Sequence, residues 1–260
     1  MIQNFFLFYL INCKAGLRSF IKGIDYFRLR EYLIAAKQIN FYFQKTKKEK
    51  TTLIDIGCGE ETWGLFAAKV FGFEVTVVDV NQKKINLQRK YSQRLNVRSF
   101  DAICADGAKL PFFDESFDVV NCFAVLPLLP GEKDIKVMQE IGRILKKSGK
   151  ALITVGYDTV FREEKDTLTT KGFSRVYDDN ALSNRLIKPS GLHLVKKIYF
   201  GQPKIDFSRI WYRLPFLVKL CFRSWLLPIL SLTFLKEIAS PQIGAIHNKK
   251  INGVLLILEK

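Results

Sequence analysis

Apolar and polar positions change period several times between Thr51 and Asp158, and each change marks an element. Thr51 to Ile56 is a short apolar run ending in glycines, the pattern of a buried strand. Thr62 to Phe71 reads as a helix closed by Gly72, and Glu74 to Val80 is again β-branched and apolar. Asn81 is placed to cap a helix running to about Arg94, because its side chain can accept from the free N–H groups of a first turn. Val97 to Cys104 is a third, weaker strand, and Phe117 to Val125 a fourth. Asp134 to Lys147 has helical spacing, with Ile135, Met138, Ile141 and Leu145 on one face. Lys146 and Lys147 suit its negative end, and Gly149 lies just past it. Ala151 to Gly156 is a fifth strand. Asp179 to Ile187 is helical, and His193 to Phe200 and Ile251 to Glu259 are closing strands. The alternation predicts a doubly wound α/β fold: a mostly parallel, Rossmann-like, seven-stranded sheet covered on both faces.

This divides the chain into a basic helical extension (1–50), a core (51–203), an amphipathic helical insert (204–248) and a closing strand (249–260). Charge follows the same division. Residues 1–50 hold 10 Lys/Arg against 3 Asp/Glu, residues 51–160 hold 14 against 14, and residues 161–260 hold 17 against 8. The net +16 therefore sits in the flanks, which attract phosphates or an anionic surface. Cys13, Cys58, Cys104, Cys122 and Cys221 form no C-x-x-C pair and are odd in number. They fit reduced thiols of a cytoplasmic protein, with Cys58, Cys104 and Cys122 as small core fillers. Two histidines, His193 and His247, leave little basis for a metal site, and none is expected. The apolar runs Met1–Cys13 and Ser224–Leu235 fall short of the ~18–20 residues a spanning helix needs, so no transmembrane helix is expected.

The chemistry concentrates after the first strand. Asp55-Ile56-Gly57-Cys58-Gly59 offers a tight turn between strand and helix, where backbone can approach a ligand closely. Asp79 ends the second strand 22 residues after Gly57, where a carboxylate can accept from both hydroxyls of a ribose. Together they point to a nucleoside-containing cofactor. The dinucleotide pattern is absent, and Glu60 and Glu61 would repel a pyrophosphate while tolerating a sulfonium and an ammonium. Asp118 reads as a turn or strand-edge acid.

Lys109-Leu110-Pro111-Phe112-Phe113-Asp114-Glu115-Ser116-Phe117-Asp118-Val119-Val120 resembles the L-P-F-x-D-x-S-F-D-x-V signature of the type 11 group of class I S-adenosylmethionine-dependent methyltransferases. Met138 to Gly149 is similar to the same group's E-x-x-R-x-L-K-x-G-G segment at Glu140, Arg143, Leu145, Lys146 and Gly149. The resemblance covers roughly residues 50–156 and implies S-adenosylmethionine as cofactor. It implies that Gly57, Cys58 and Gly59 line the amino-acid portion and that Asp55 helps bind the ammonium. Asp79, with Val80 beside it, would hold the ribose, and Asp106, with Gly107, the adenine amino group. Asn121 to Phe123 would face the sulfonium and the methyl acceptor; no catalytic base is identified. The group usually has a third glycine where this chain has Glu61.

The acceptor must be sought in the flanks. Within Asp206–Lys236, at 100° per residue, Arg209, Arg213, Lys219 and Arg223 fall in an arc of about 120°. Trp211, Leu214, Val218, Phe222 and Trp225 lie opposite, and Pro215 kinks or divides the stretch. Such a segment serves as a lid over the site or as an element lying on anionic lipid, and Phe5–Leu10 followed by Lys14, Arg18 and Lys22 has similar character. Both favour a bulky small molecule, a lipid-linked or a glycan-type acceptor, on a cytoplasmic and peripherally membrane-associated protein. The alternatives are an RNA methyltransferase, disfavoured by Asn121-Cys122-Phe123-Ala124 in place of an N-P-P-Y type sequence, and a cofactor-binding protein without turnover, motivated by Glu61.

Overall fold

A computed structural model describes residues 2–16, 26–43, 50–164, 173–201 and 251–260, together with Pro215 and Val218. The expected insert 204–248 otherwise lies outside the described residues, as do Arg18, Lys22 and His247. Among the described residues, two helices, α1 (Ile2–Ala15) and α2 (Tyr26–Phe43), precede the sheet. The core then runs β1 (Thr52–Ile56), α3 (Trp63–Phe66, continued by a wider turn at Ala67–Phe71), β2 (Glu74–Asp79), α4 (Gln82–Arg94), β3 (Phe100–Cys104) and β4 (Phe117–Phe123). It continues with α5 (Lys133–Ile144), β5 (Leu145–Gly156), a hairpin of β6 (Arg162–Glu164) and β7 (Ser174–Val176), helix α6 (segments Asp179–Ala181, Leu182–Ile187 and Lys188–Ser190), β8 (His193–Gly201) and β9 (Ile251–Glu259).

The sheet has seven strands in the order β3-β2-β1-β4-β5-β9-β8. The first five are parallel, and β9 runs antiparallel to both neighbours. Successive strand residues alternate faces, so the strands bury both sides. Leu53, Val119, Leu152 and Leu255 pack with Trp63, Phe66 and Tyr32 on one face. Ile54, Val120, Ile153 and Leu256 pack with Met138 and Ile141 of α5 on the other. Strand order reverses between β1 and β4, which opens a crevice at their carboxyl ends. Gly253 pairs with Gly156, and Gly201 with Ile251, so β8 leaves and β9 returns at that same carboxyl edge.

Asn81 caps α4 as its residue type dictates, its side chain accepting from Lys83 N at 3.0 Å. Gly72 closes α3 in the left-handed conformation at φ 72°. The end of α5 differs from expectation. The helix stops at Ile144, and Lys146, Lys147 and Gly149 lie beyond its terminus. The carbonyls of Arg143 and Ile144 accept from Glu115 N (3.0 Å) and Ser116 N (2.8 Å), so the loop before β4 takes the partners a further turn would need. The chain re-enters the sheet at once, Leu145 opposite Phe117, and β5 begins six residues earlier than Ala151. Lys146 turns back to Asp118 (3.0 Å) and Thr52 Oγ1 (3.2 Å). Asp118, buried, also accepts from Thr52 N at 3.0 Å, which ties β4 to the start of β1 as a structural acid. Cys104 is exposed at the end of β3 and is not a core filler; Cys58 and Cys122 are buried.

Candidate functional site

The glycine turn opens the six-residue link between the end of β1 at Ile56 and the start of α3 at Trp63. Gly57 takes φ 75°, a left-handed conformation costly for any residue with a Cβ, and a Cβ there would overlap Val125 Cγ2. Gly57 N and Cys58 N both donate to Val78 O, at 2.7 and 3.0 Å, binding the turn to β2. Gly59 also has positive φ (60°), and its N–H donates to Asp79 Oδ2 at 3.0 Å. Glu61 is absent from the residues with positive φ, so this position does not require glycine. Its N–H donates to Cys58 O at 3.3 Å, and the turn closes without a third glycine.

Asp79 lies buried at the end of β2 and accepts from Gly59 N through one oxygen and from Asn81 N (2.9 Å) through the other, with Lys84 Nζ at 3.5 Å. An ionised carboxylate has about four acceptor positions, so an oriented Asp79 retains capacity for hydroxyl donors. Val80 follows it, exposed. Asp106, exposed after β3, accepts from Ala108 N at 3.0 Å and fixes the local turn. Gly107 lies below it, where a Cβ would come within 3.0 Å of Ile56 Cγ2. The structure thus brings Asp55, Gly57, Cys58, Gly59, Asp79, Val80, Asp106 and Gly107 to the carboxyl edge of β1, β2 and β3.

Asp55 and Asn121 are register partners across β1 and β4 and so present their side chains to the same face. Asp55 is buried, and burial first, then Asp79 and Glu61, push its carboxyl up to about 7 against the opposing pull of Arg28. Asn121 is fully buried, and neither its Oδ1 nor its Nδ2 has a hydrogen-bond partner. Leaving a buried amide unmet costs about 1–3 kcal/mol per group, so Asn121, beside Asp55, is a position where a polar ligand atom would be stabilised. Thr62 Oγ1 and Trp63 Nε1, at the start of α3, are likewise buried and unmet. The residues present fit a cation-bearing nucleoside: a buried acid at Asp55, a pinned carboxylate at the end of β2, and unmet polar atoms on Asn121, Thr62 and Trp63.

Residues outside the sheet complete the wall, and sequence reasoning did not single them out. Arg28 of α2 donates to Phe123 O at 3.0 Å, at the end of β4, and to Glu31 at 3.0 Å. Tyr32 stacks on Trp63 at 5.2 Å, and Trp63 meets Phe123 edge-on at 5.5 Å. Burial and the nearby Glu61 carboxylate push the Tyr32 hydroxyl well above its ordinary range. Arg28 was one of ten basic residues in a flank, and nothing in its spacing distinguished it from a solvated charge. Gln88 was equally silent: buried on α4, it donates to the carbonyls of Gly59 (3.1 Å) and Glu61 (2.7 Å) and so fastens the glycine turn.

The L-P-F loop and the E-x-x-R helix meet in one clamp. Arg143 donates to the carbonyls of Phe112 (2.7 Å) and Leu110 (3.1 Å), to Asp114 (2.8 Å) and, through Nε, to Glu140 (2.8 Å). Glu140 in turn accepts from Leu110 N at 2.6 Å, and its partnership with Arg143 holds its carboxyl below the usual range. The clamp holds the segment between β3 and β4 that carries Asp106.

Residues 54–153 match the family model described as a methyltransferase domain. An uncharacterized protein of Methanocaldococcus jannaschii is 32% identical over 130 residues, 49% of this chain and 52% of that protein; the chain spans about half that relative's length. The demethylmenaquinone methyltransferase of Listeria welshimeri is 28% identical over 102 residues, 38% of this chain and 42% of that one. Among solved structures, the O-methyltransferase of a trans-AT polyketide synthase multienzyme of Brevibacillus brevis, in complex with S-adenosyl-L-homocysteine, superposes with a TM-score of 0.57. The match covers 89% of this chain and 75% of that one at 15% identity, a likeness of fold.

Proposed function

We propose, on the premise that residues 54–153 of this chain are a class I S-adenosylmethionine-dependent methyltransferase domain of the type 11 group, that the protein moves a methyl group to a bulky acceptor: a large small molecule, a lipid-linked or a glycan-type compound. The observation that carries the reading is that Asp55, Asp79 and Asp106 all lie at the carboxyl edge, at or just past the ends of β1, β2 and β3, inside the matched segment. S-Adenosylmethionine supplies a methyl group already activated by its sulfonium.

In this reading Gly57, Cys58 and Gly59 line the amino-acid portion, Asp55 takes the ammonium, and Asp79 with Val80 holds the ribose. Asp106 with Gly107 receives the adenine amino group, and the unmet amide of Asn121 faces the reacting end. The chain's task is then alignment and exclusion of water. Tyr32, Trp63 and Phe123 form an apolar wall, and fixing two reactants in line contributes up to ~7–11 kcal/mol in favourable cases. The insert 204–248 joins strands that end at the same edge, which supports a role over the acceptor side. The basic flanks fit an anionic membrane surface better than nucleic acid, and among the described residues no helix is long and apolar enough to cross a membrane.

The deciding experiment incubates the full chain with methyl-labelled S-adenosylmethionine and a fractionated lysate. Label in a lipid or glycan extract supports the reading, and label in RNA replaces it with the RNA alternative. Cofactor binding with no labelled product would make this a binding protein without turnover. Calorimetry on Asp79→Ala tests the ribose assignment, which an unchanged cofactor affinity would refute.

A further inference from the structure

Helix α1 is mostly apolar, its polar residues being Gln3, Asn4, Asn12 and Lys14. Its 14 residues contain a single charged side chain, Lys14, and no acid. At 100° per residue Phe8, Ile11, Asn12 and Ala15 share one arc of about 100°, and all four are buried against the body of the protein. Phe6, Leu7, Leu10 and Lys14 share an opposite arc of about 100°. There Phe6 is 44%, Leu7 37% and Leu10 47% exposed, and Lys14 is exposed too. Leu7 and Leu10 this exposed on one helix face, with a single charge beside them, form an apolar patch of the kind that meets a partner or a membrane.

The same face opens on a cleft of about 710 Å³. Its walls include Leu10, Ile11, Ile39, Phe43, Phe71 and Phe73, and its charged lining residues are Lys14 and Lys69, with no carboxylate among the lining residues. The cleft lies toward Phe73 and Leu95, which precede β2 and β3, and so is separate from the carboxyl edge where the cofactor residues gather. Phe41, 67% exposed on α2, sits beside the cleft-lining Asn40.

We propose that the outer face of α1 and this cleft form a docking surface for an anionic phospholipid bilayer. The apolar stripe enters the acyl region while Lys14 meets headgroup phosphates and Lys69, whose ammonium also donates to Leu95 O at 2.7 Å, offers its remaining donors, the arrangement of an interfacial helix. Charge selects this occupant. A second copy would set the same lysines against each other, on a chain of net charge +16. The chain's own insert 204–248 carries 6 Lys/Arg against 2 Asp/Glu and is equally uncomplementary. The proposal rests on the membrane-surface part of the proposed function, which it narrows to α1, and is independent of methyl transfer.

The test is co-sedimentation of the full chain with unilamellar vesicles of phosphatidylcholine, with and without phosphatidylglycerol. Binding is expected only with phosphatidylglycerol, and only at low salt. The variant Phe6→Ser/Leu7→Ser/Leu10→Ser is expected to lose about tenfold or more in vesicle affinity, with its melting temperature and cofactor affinity kept. Should that variant fail to fold, Lys14→Glu, a surface change, carries the test with a severalfold loss. A parent chain that ignores phosphatidylglycerol vesicles at low salt overturns the proposal. So does a folded triple variant that binds like the parent, since the contact then lies elsewhere. A parent dimer in sedimentation velocity that the triple variant abolishes also overturns it, because the face then belongs to a second copy.

Discussion

Replacing Arg143 by Met keeps most of the side chain's length and removes the clamp on the loop between β3 and β4. The guanidinium donates to two backbone carbonyls, Leu110 and Phe112, and to two carboxylates. A hydrogen bond from a charged donor is worth about 1.5–3 kcal/mol net when buried. Arg143 is 30% exposed, so water replaces part of each bond. The pair with Asp114, which is 74% exposed, adds about 0–1 kcal/mol. Glu140, 17% exposed, is left with a charge facing Leu110 N alone, which raises the cost. The expected loss of stability is about 2–4 kcal/mol by urea denaturation. Because the clamp grips residues 110–114 and not the sheet, amide exchange should quicken across 105–116 while β1 and β4 stay protected. Cofactor affinity should fall with it, since Asp106 rides on that segment. Arg143→Lys, a point charge without the fork, should recover only part of the loss. A variant within about 0.5 kcal/mol of the parent, with unchanged exchange over 105–116, would refute the clamp.

Asp134 is fully buried and receives Arg175, Arg185 and the Tyr177 hydroxyl; Asp134→Ala leaves the buried Arg175 cation only Glu163 and the carbonyls of Leu129 and Gly131, and should cost about 2–4 kcal/mol, read as a lowered melting temperature. For Asp55, raised to about 7 chiefly by burial, the proton is held in the free protein below that pH. Its stabilising contribution is full below about pH 4 and is lost as pH rises through 7, whereas a cationic cofactor needs the ionised form. Cofactor affinity should therefore rise with pH by at most about tenfold per unit up to 7 and then level off, with proton release in calorimetry; Asp55→Asn should be flat, and a parent profile equally flat would contradict the assignment. Gly57→Ala meets both a positive φ and the Val125 methyls, and should lower cofactor affinity by about tenfold or more in a chain that still folds; parent-like binding would show that the turn relaxes.

Much of the scaffold is local and was therefore legible. Asn81 caps its helix through its own side chain, and the glycine turn follows from two residues that tolerate φ above zero. The end of α5 was not legible, because its last carbonyls are taken by Glu115 and Ser116, nearly thirty residues upstream in the chain. Lys146 looked like a helix-end charge and became the partner of Asp118 for the same reason.

The sequence by itself determined the strand–helix alternation and the acids at three strand ends, since each rests on residue type and short spacing, while the resemblance of residues 109–120 and 138–149 to a known group supplied the expected cofactor. Only the tertiary structure decided which distant residues complete those features. Arg28 at the Phe123 carbonyl, Gln88 under the glycine turn and the unmet amide of Asn121 beside Asp55 depend on strand register and on the seating of α2. Those are set by burial summed over the whole core, a quantity no short window of sequence contains.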